Sequence, residues 1–278
     1  MSITILDGPV GTLLIERDVP CPEPAWSAHA VKHHPDQIRR IHREYANAGA
    51  TVHTTATFRT RRETVGAEWV ALTESAVAMA RAACGPGCLV AGSIAPLADC
   101  YRPDLSPPDP MPHHRRLADA LHRSRVDLLL VETFPHVEEA LAAVVAARET
   151  GLPVWVSFTA GPSATLLDPI ALRDGAQAAV ARGVDAVLVN CIPATETRRF
   201  VRELAGLGVP FGAYANAGTR GDGIGWGSTA DGPQRYADFA AEWIAEGATI
   251  IGGCCGTGPA HIAELRRRFG ATSAQTTS

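Results

Sequence analysis

The sequence predicts an α/β chain folded as a single-domain (β/α)8 TIM barrel, and three observations predict it. Short apolar, β-branched runs alternate with longer helical patterns eight times from end to end. The repeat fills a chain of 278 residues, close to the roughly 250 residues over which such barrels run as one unit. Polar residues stand at or just beyond the end of a different run each time: Asp7, Thr57, Ser93, Glu132, Thr159, Cys191, Asn216 and Cys254. In a closed barrel those ends converge on one mouth, whereas an open doubly wound sheet, the runner-up, scatters several of them.

The strands expected in order are Ile3 to Leu6, Ala50 to Thr57, Cys88 to Ser93, Asp127 to Glu132, Val154 to Thr159, Ala186 to Asn190, Phe211 to Tyr214 and Thr249 to Ile251. Their near-continuous hydrophobicity suits strands covered on both faces, as parallel sheets are. Between them, helical patterns cover Pro35 to Ala48, Glu68 to Ala83, Val137 to Thr150, Pro169 to Arg182, Thr195 to Ala205, Gln234 to Glu246 and Pro259 to Phe269, several opened by proline or a polar starter. Pro96 to Pro112 holds six prolines and reads as a long extended surface loop, either a lid or a stiff connector. Gly218 to Gly232 reads as a second, flexible loop whose glycines do not follow the dinucleotide-binding spacing. Residues 1–270 are expected to form the barrel, and the polar 271–278 segment a disordered tail.

Composition excludes several classes. A hydrophobic fraction of 46% with 19% charged residues describes a globular chain and excludes fibrous and disordered ones. A net charge of −4 without a long basic run argues against nucleic acid or an anionic membrane as partner. No apolar stretch approaches the roughly 18 residues of a membrane span. The N-terminus lacks the pattern of a secretory signal, so a cytoplasmic location is expected. Lys32 is the only lysine and lies in a polar stretch, so Schiff-base chemistry has little to stand on. The 7 cysteines form an odd set that suits a reducing compartment, where thiols act as ligands or nucleophiles.

Three of those cysteines stand at strand ends: Cys191 in VNCIPA, and the adjacent Cys254-Cys255 in IIGGCCGTGP. Neighbouring side chains in a strand point to opposite faces, so both members of the pair can face one metal only where the strand has ended. Gly252-Gly253 before the pair and Gly256 after it permit such a break, because glycine tolerates angles that other residues resist. Three thiolates suit Zn²⁺ with an open fourth position, as in catalytic rather than structural zinc sites. Core filling by small apolar thiols and a redox pair are the competing readings, and a disulfide between the sequence neighbours would be strained. The other four, Cys21, Cys84, Cys88 and Cys100, read as structural or incidental, and the ten histidines show no competing ligand spacing. His33-His34 and His113-His114 read as solvated loop positions, and His261 as a residue of the first turn of the last helix. A water-activating hydrolase more usually takes histidine and carboxylate ligands, whereas an open three-thiolate zinc keeps a substrate thiol as its thiolate. This points to alkyl transfer onto sulfur.

From about Leu6 to Phe269 the chain resembles the homocysteine S-methyltransferases, whose zinc-dependent domain also occurs in betaine-homocysteine methyltransferase and cobalamin-dependent methionine synthase. The motifs run in order: LDGPVGT, PAWSAHAVKHHPDQIRRIHREYANAGATVHTTATF, AGSIAP, DLLLVETF, VNC and GATIIGGCCGTGPAHI. The resemblance implies a (β/α)8 barrel that makes methionine from homocysteine, with Zn²⁺ on Cys191, Cys254 and Cys255. It also implies that Asp7, Gly8 and Glu132 hold the amino acid portion of homocysteine: a carboxylate pairs with the ammonium and turn N–H groups accept the carboxylate. Trp26 is expected to wall the substrate pocket, Thr57 and Asn216 to line the mouth, and Asn190 to orient the neighbouring loop.

The chain departs from the family in loops that face the methyl donor: Thr55-Ala56-Thr57-Phe58, Ala95-Pro96-Leu97-Ala98 and Ala215-Asn216-Ala217-Gly218. With no folate or cobalamin domain after the last helix, a small diffusible donor is expected, such as S-methylmethionine, S-adenosylmethionine or a betaine. Two alternatives stand beside this reading: another thiol or selenol as acceptor, and a non-catalytic barrel that binds zinc or a thiol metabolite.

Overall fold

The computed structural model describes residues 2–226 and 230–270. Eight parallel strands make one sheet: β1 (Thr4–Ile5), β2 (Val52–Thr54), β3 (Leu89–Ile94), β4 (Leu128–Phe134), β5 (Val154–Phe158), β6 (Ala186–Pro193), β7 (Phe211–Asn216) and β8 (Ile250–Gly253). Strands two to eight pair in sequence order and β8 pairs with β1. The last seam closes through a parallel bridge between Leu6 and Val52, with Thr51 N–H donating to Ile5 O (2.7 Å) and Asp7 N–H to Val52 O (3.0 Å). The sheet is therefore a barrel, as the convergence of polar strand ends predicts.

Around it run α1 (Val10–Glu16), α2 (Ser27–His33), α3 (Pro35–Asn47), α4 (Arg62–Val65), α5 (Trp69–Ala83), α6 (Met111–Arg123), α7 (Val137–Arg148), α8 (Pro169–Val180), α9 (Ala194–Leu204), α10 (Gly232–Ala245) and α11 (Pro259–Phe269). The predicted helices correspond to α3, α5 and α7 to α11. Helix α8 shows why such boundaries are legible: Asp168 accepts the N–H groups of Ile170 and Ala171, both at 2.9 Å, and Pro169 fills the first helical position.

Alternation along each strand builds two cores. Leu6, Val52, Ala91, Leu128, Leu130, Ala186, Leu188 and Ile250 fill the barrel interior. Leu129, Val131, Val154, Val156, Val187, Val189 and Ile251 point outward under the helices. This double burial is the reason the strands read as continuous apolar runs.

Three expectations need correction. Strand two is shorter than Ala50 to Thr57, because Thr57 N–H folds back onto Thr55 O (2.7 Å) and the two threonine hydroxyls bond each other (2.7 Å), taking the chain out of the ladder. The proline-rich loop ends at Pro110, and Pro112 lies in the first turn of α6, where its missing N–H costs nothing. His114 is not solvated: it is 1% exposed and bonds Glu139 (3.2 Å), while His113 pairs with Glu63 (2.5 Å). Part of the predicted Gly218 to Gly232 loop and the whole 271–278 tail lie outside the described residues.

Candidate active site

A cavity of 780 Å³ opens at the C-terminal ends of the strands. Each wall is set by a local departure from regular strand geometry. By strict alternation after Leu188 and Asn190, Cys191 should point outward to the helices. Instead it takes φ 51°, and the register of β6 against β7 breaks between Asn190 and Pro193, so Cys191 turns into the interior cluster. Strand β4 breaks register in the same way between Val131 and Phe134, with Thr133 at φ 64°. Asn190 ties the two breaks together, donating to Thr133 Oγ1 (2.7 Å) and accepting from Ser157 Oγ (2.8 Å).

The adjacent cysteines follow the end of β8. Cys254 N–H makes a bond to Ala215 O (2.8 Å), and Thr257 then closes a turn onto Cys254 O through both its N–H (3.0 Å) and its hydroxyl (2.8 Å). Gly256 sits at φ 82°, as a break of this kind requires. Gly252 and Gly253 serve a different purpose from the one expected. They remain in the strand, and a Cβ on Gly253 would meet Thr257 Oγ1 at 2.2 Å, so close approach excludes a side chain there.

The three sulfurs of Cys191, Cys254 and Cys255 lie within 4.8 Å of one another. Cys191 Sγ is 3.8 Å from Cys255 Sγ, which is the edge of a tetrahedron with metal–sulfur bonds of about 2.3 Å. Cys191 and Cys254 bring their sulfurs against each other, with Cα atoms 5.7 Å apart, so a metal and a disulfide would compete for the same two sulfurs. Cys84 and Cys88 form a disulfide beyond the end of α5. Burial pushes the Cys255 thiol up, so without a nearby positive charge it stays protonated.

Across the cavity stand two buried carboxyls. Glu132 Oε1 accepts Ser93 Oγ (2.5 Å) and Oε2 accepts Tyr214 OH (3.2 Å). Asp7 Oδ2 accepts Thr54 N–H (3.0 Å). Burial raises both carboxyls above the ordinary carboxylate range, and the charge of Glu132 adds to the shift at Asp7. Gly8 is held against Tyr45, whose ring a Cβ would meet at 2.7 Å, and Tyr45 OH donates to Pro9 O (3.1 Å). Trp26 lines the cavity edge-on to Phe58, ring centres 6.1 Å apart, in space that any Cβ on Gly11 would occupy.

Asp7, Gly8, Trp26, Glu132, Cys191, Cys254 and Cys255 thus line one cavity. Thr57 and Asn216 do not line it: Thr57 Oγ1 donates to Ser93 O (2.8 Å), and Asn216 Oδ1 accepts Gly218 N–H (3.0 Å). Sequence reasoning missed Tyr214, whose signal is its inward register in β7 two residues before Asn216. It also missed Arg59 and Arg61, which follow directly on the Thr-Ala-Thr-Phe motif. His42 and His53 were overlooked as well. Their Nδ1 atoms lie 4.0 and 3.8 Å from Asp7 Oδ2, and burial pushes their pKa values down to about 3 and about 4, so both are neutral imidazoles. Helix α3 and strand β2 bring them together, a juxtaposition that sequence spacing does not reveal.

The proline-rich segment is fastened. Glu139 accepts Leu97 N–H (2.8 Å), Ser106 Oγ (2.6 Å) and His114 Nε2, while Arg61 donates to Pro96 O (3.0 Å) and Leu97 O (2.5 Å). These bonds favour the stiff connector over the lid. Among the described residues no helix is long and apolar enough to cross a membrane.

The family model for homocysteine S-methyltransferase matches residues 4–269. The homocysteine S-methyltransferase of Escherichia coli K12 is 35% identical, over 96% of this chain and 95% of the relative. An S-methylmethionine–homocysteine S-methyltransferase of Mus musculus is 31% identical, over 85% of this chain and 70% of the relative. The crystal structure of the E. coli homocysteine methyltransferase in its metallated form superposes with a TM-score of 0.81 at 29% identity, covering 96% of each chain.

Proposed function

Because the chain belongs to the homocysteine S-methyltransferase family, we propose that Cys191, Cys254 and Cys255 hold a Zn²⁺ beside which homocysteine binds, its charged ends held by Asp7, Gly8 and Glu132. The reaction is transfer of a methyl group to the homocysteine sulfur, giving methionine. The observation that carries the site assignment is the meeting of three sulfurs and two buried carboxyls on one cavity. Zinc bound there supplies the charge that keeps an incoming thiol as thiolate at neutral pH, where a free thiol of pKa about 8.5 is mostly protonated.

The chain's own residues then orient the acceptor. An ammonium near Asp7 and Glu132 offsets the cost of ionising two carboxyls whose pKa values burial raises. Ser93 and Tyr214 fix the Glu132 carboxylate by donating to different oxygens, so its remaining lone pairs face the cavity. The N–H groups of the turn around Gly8 receive the substrate carboxylate. Clamped at both ends, the sulfur is held for in-line attack on the donor methyl, and this orientation rather than proton transfer supplies the rate. Trp26 walls the same pocket. Thr57 and Asn216 are spent on backbone groups and take no part in this assignment.

The donor is a small sulfonium or betaine, and the name of the mouse relative supports the sulfonium S-methylmethionine. Neither another thiol or selenol acceptor nor a non-catalytic barrel has an observation in its favour. The test is a panel of sulfonium and betaine donors assayed with homocysteine on reduced protein of measured metal content. Methionine formation that follows zinc loading is expected; homocysteine binding without turnover from any donor defeats the reading.

A further inference from the structure

The buried acids of the cavity are Asp7 and Glu132; Glu23, Glu63 and Asp99 also line it, beside two guanidinium groups, Arg59 and Arg61. Neither forms an ion pair with a carboxylate among the described residues. The acids beside them are otherwise engaged: Glu63 pairs with His113 (2.5 Å) and Arg116 (2.8 Å), and Asp99 accepts Tyr101 N–H (2.9 Å).

The two arginines differ in what they have left to offer. Arg61 is 7% exposed and spends its terminal nitrogens on the carbonyls of Phe58, Pro96 and Leu97, which fastens the loops after β2 and β3 to each other. Arg59 is half-buried and makes one hydrogen bond, from Nη1 to Ala98 O (3.0 Å), with its guanidinium carbon 5.1 Å from the centre of the Phe58 ring. That bond pins one corner of the group and the ring gives it a floor. Among the described residues its other donors make no hydrogen bond. A half-buried cation that forms no ion pair among the described residues, held on a cavity wall, is a receptor for an anionic group of the ligand, and the planar fork matches a carboxylate.

Resting on the reading above, in which homocysteine takes the part of the cavity at Asp7 and Glu132, we propose that Arg59 is the specificity-determining residue for the methyl donor: it receives a carboxylate of that donor. The donors named above, S-methylmethionine, S-adenosylmethionine and a betaine, all carry such a carboxylate, whereas simple alkylsulfonium ions lack it and are disfavoured. Arg59 touches the end of the donor away from the transferred methyl, so its contribution is to donor binding rather than to the in-line step.

The test uses two donors that differ only in this group, S-methylmethionine and its decarboxylated counterpart (3-aminopropyl)dimethylsulfonium, with the zinc-loaded protein and its Arg59→Gln and Arg59→Lys variants. Initial rates are measured with homocysteine, and both compounds are also titrated calorimetrically without homocysteine, so that the contrast is read even where turnover is absent. Arg59→Gln is expected to raise KM and Kd for S-methylmethionine by about 10- to 100-fold, the range of a hydrogen bond to a charged group. It should leave kcat, the decarboxylated donor and the homocysteine Kd unchanged, while Arg59→Lys retains part of the preference. Equal losses for both sulfonium compounds, a weakened homocysteine Kd, or a carboxylate preference that survives Arg59→Gln each overturn the proposal. Absence of methionine from every donor in the unsubstituted protein instead overturns the reading on which it rests, and the calorimetric contrast still decides Arg59.

Discussion

Replacing Glu132 by glutamine separates binding from folding more sharply than any other change in the cavity. The substitution keeps the shape of the side chain and leaves Ser93 Oγ an oxygen to donate to, at the position where the carboxylate now accepts at 2.5 Å. What it removes is the charge that receives the substrate ammonium. A hydrogen bond to a charged group contributes about 1.5–3 kcal/mol, which at 1.4 kcal/mol per decade is a loss of roughly 10- to 150-fold in homocysteine affinity. The ligand-free protein should respond in the opposite sense. Burial raises the Glu132 carboxyl above its ordinary range, so the fold favours the neutral form: its contribution to stability is full below the unfolded-state pKa and is lost as pH rises through the folded one. At neutral pH a permanently neutral glutamine avoids that cost, and the melting temperature should rise while affinity falls. Calorimetric titration of homocysteine and a thermal melt, both on the reduced zinc-loaded protein, read the two effects. An unchanged Kd would move the ammonium site elsewhere, and a lowered melting temperature would show that the charged carboxylate is part of what holds the barrel together.

Other consequences follow from the same geometry. Homocysteine binding needs ionised carboxylates at Asp7 and Glu132, whose pKa values burial raises, so affinity should decline as pH falls from neutral, beginning above the usual 4.5 of a glutamate; a Kd flat down to that pH would contradict the clamp. Cys254→Ser should abolish both activity and stoichiometric zinc with the far-ultraviolet circular dichroism unchanged, and undiminished turnover in that variant would remove zinc from the chemistry. Gly253→Ala places a Cβ at 2.2 Å from Thr257 Oγ1 and should cost about 1–3 kcal/mol of stability while displacing Cys254, seen as a lower melting temperature and weaker zinc retention; a variant indistinguishable from the parent would show that the turn has room to spare.

The fold was legible because its signals are local and repeated. Each strand is buried on both sides, so apolar runs mark β4 and β6 without ambiguity, and Asp168-Pro169 announces the start of α8 to the residue. Helices α1 and α2 were not legible: each is only seven residues long and neither has a side-chain cap. Helix α6 was hidden because Pro110 and Pro112, which read as loop residues, flank its start. At the site, the cysteines stood out through their spacing and their glycines. The inward turn of Cys191 was not foreseeable, because it depends on a break in register between two strands and on a positive φ. The neighbourhood of Asp7 was equally hidden. His42 reaches it from α3 and His53 from β2, and no pattern within either segment announces that meeting.

The central claim is that three sulfurs from β6 and the turn after β8 hold one zinc beside the homocysteine thiol. X-ray absorption at the zinc edge, on reduced protein before and after homocysteine is added, tests it most directly. The account predicts three sulfur neighbours at about 2.3 Å, joined by a fourth when homocysteine binds. Fewer than three sulfurs in the free protein, or a sulfur count that homocysteine leaves unchanged, would contradict it.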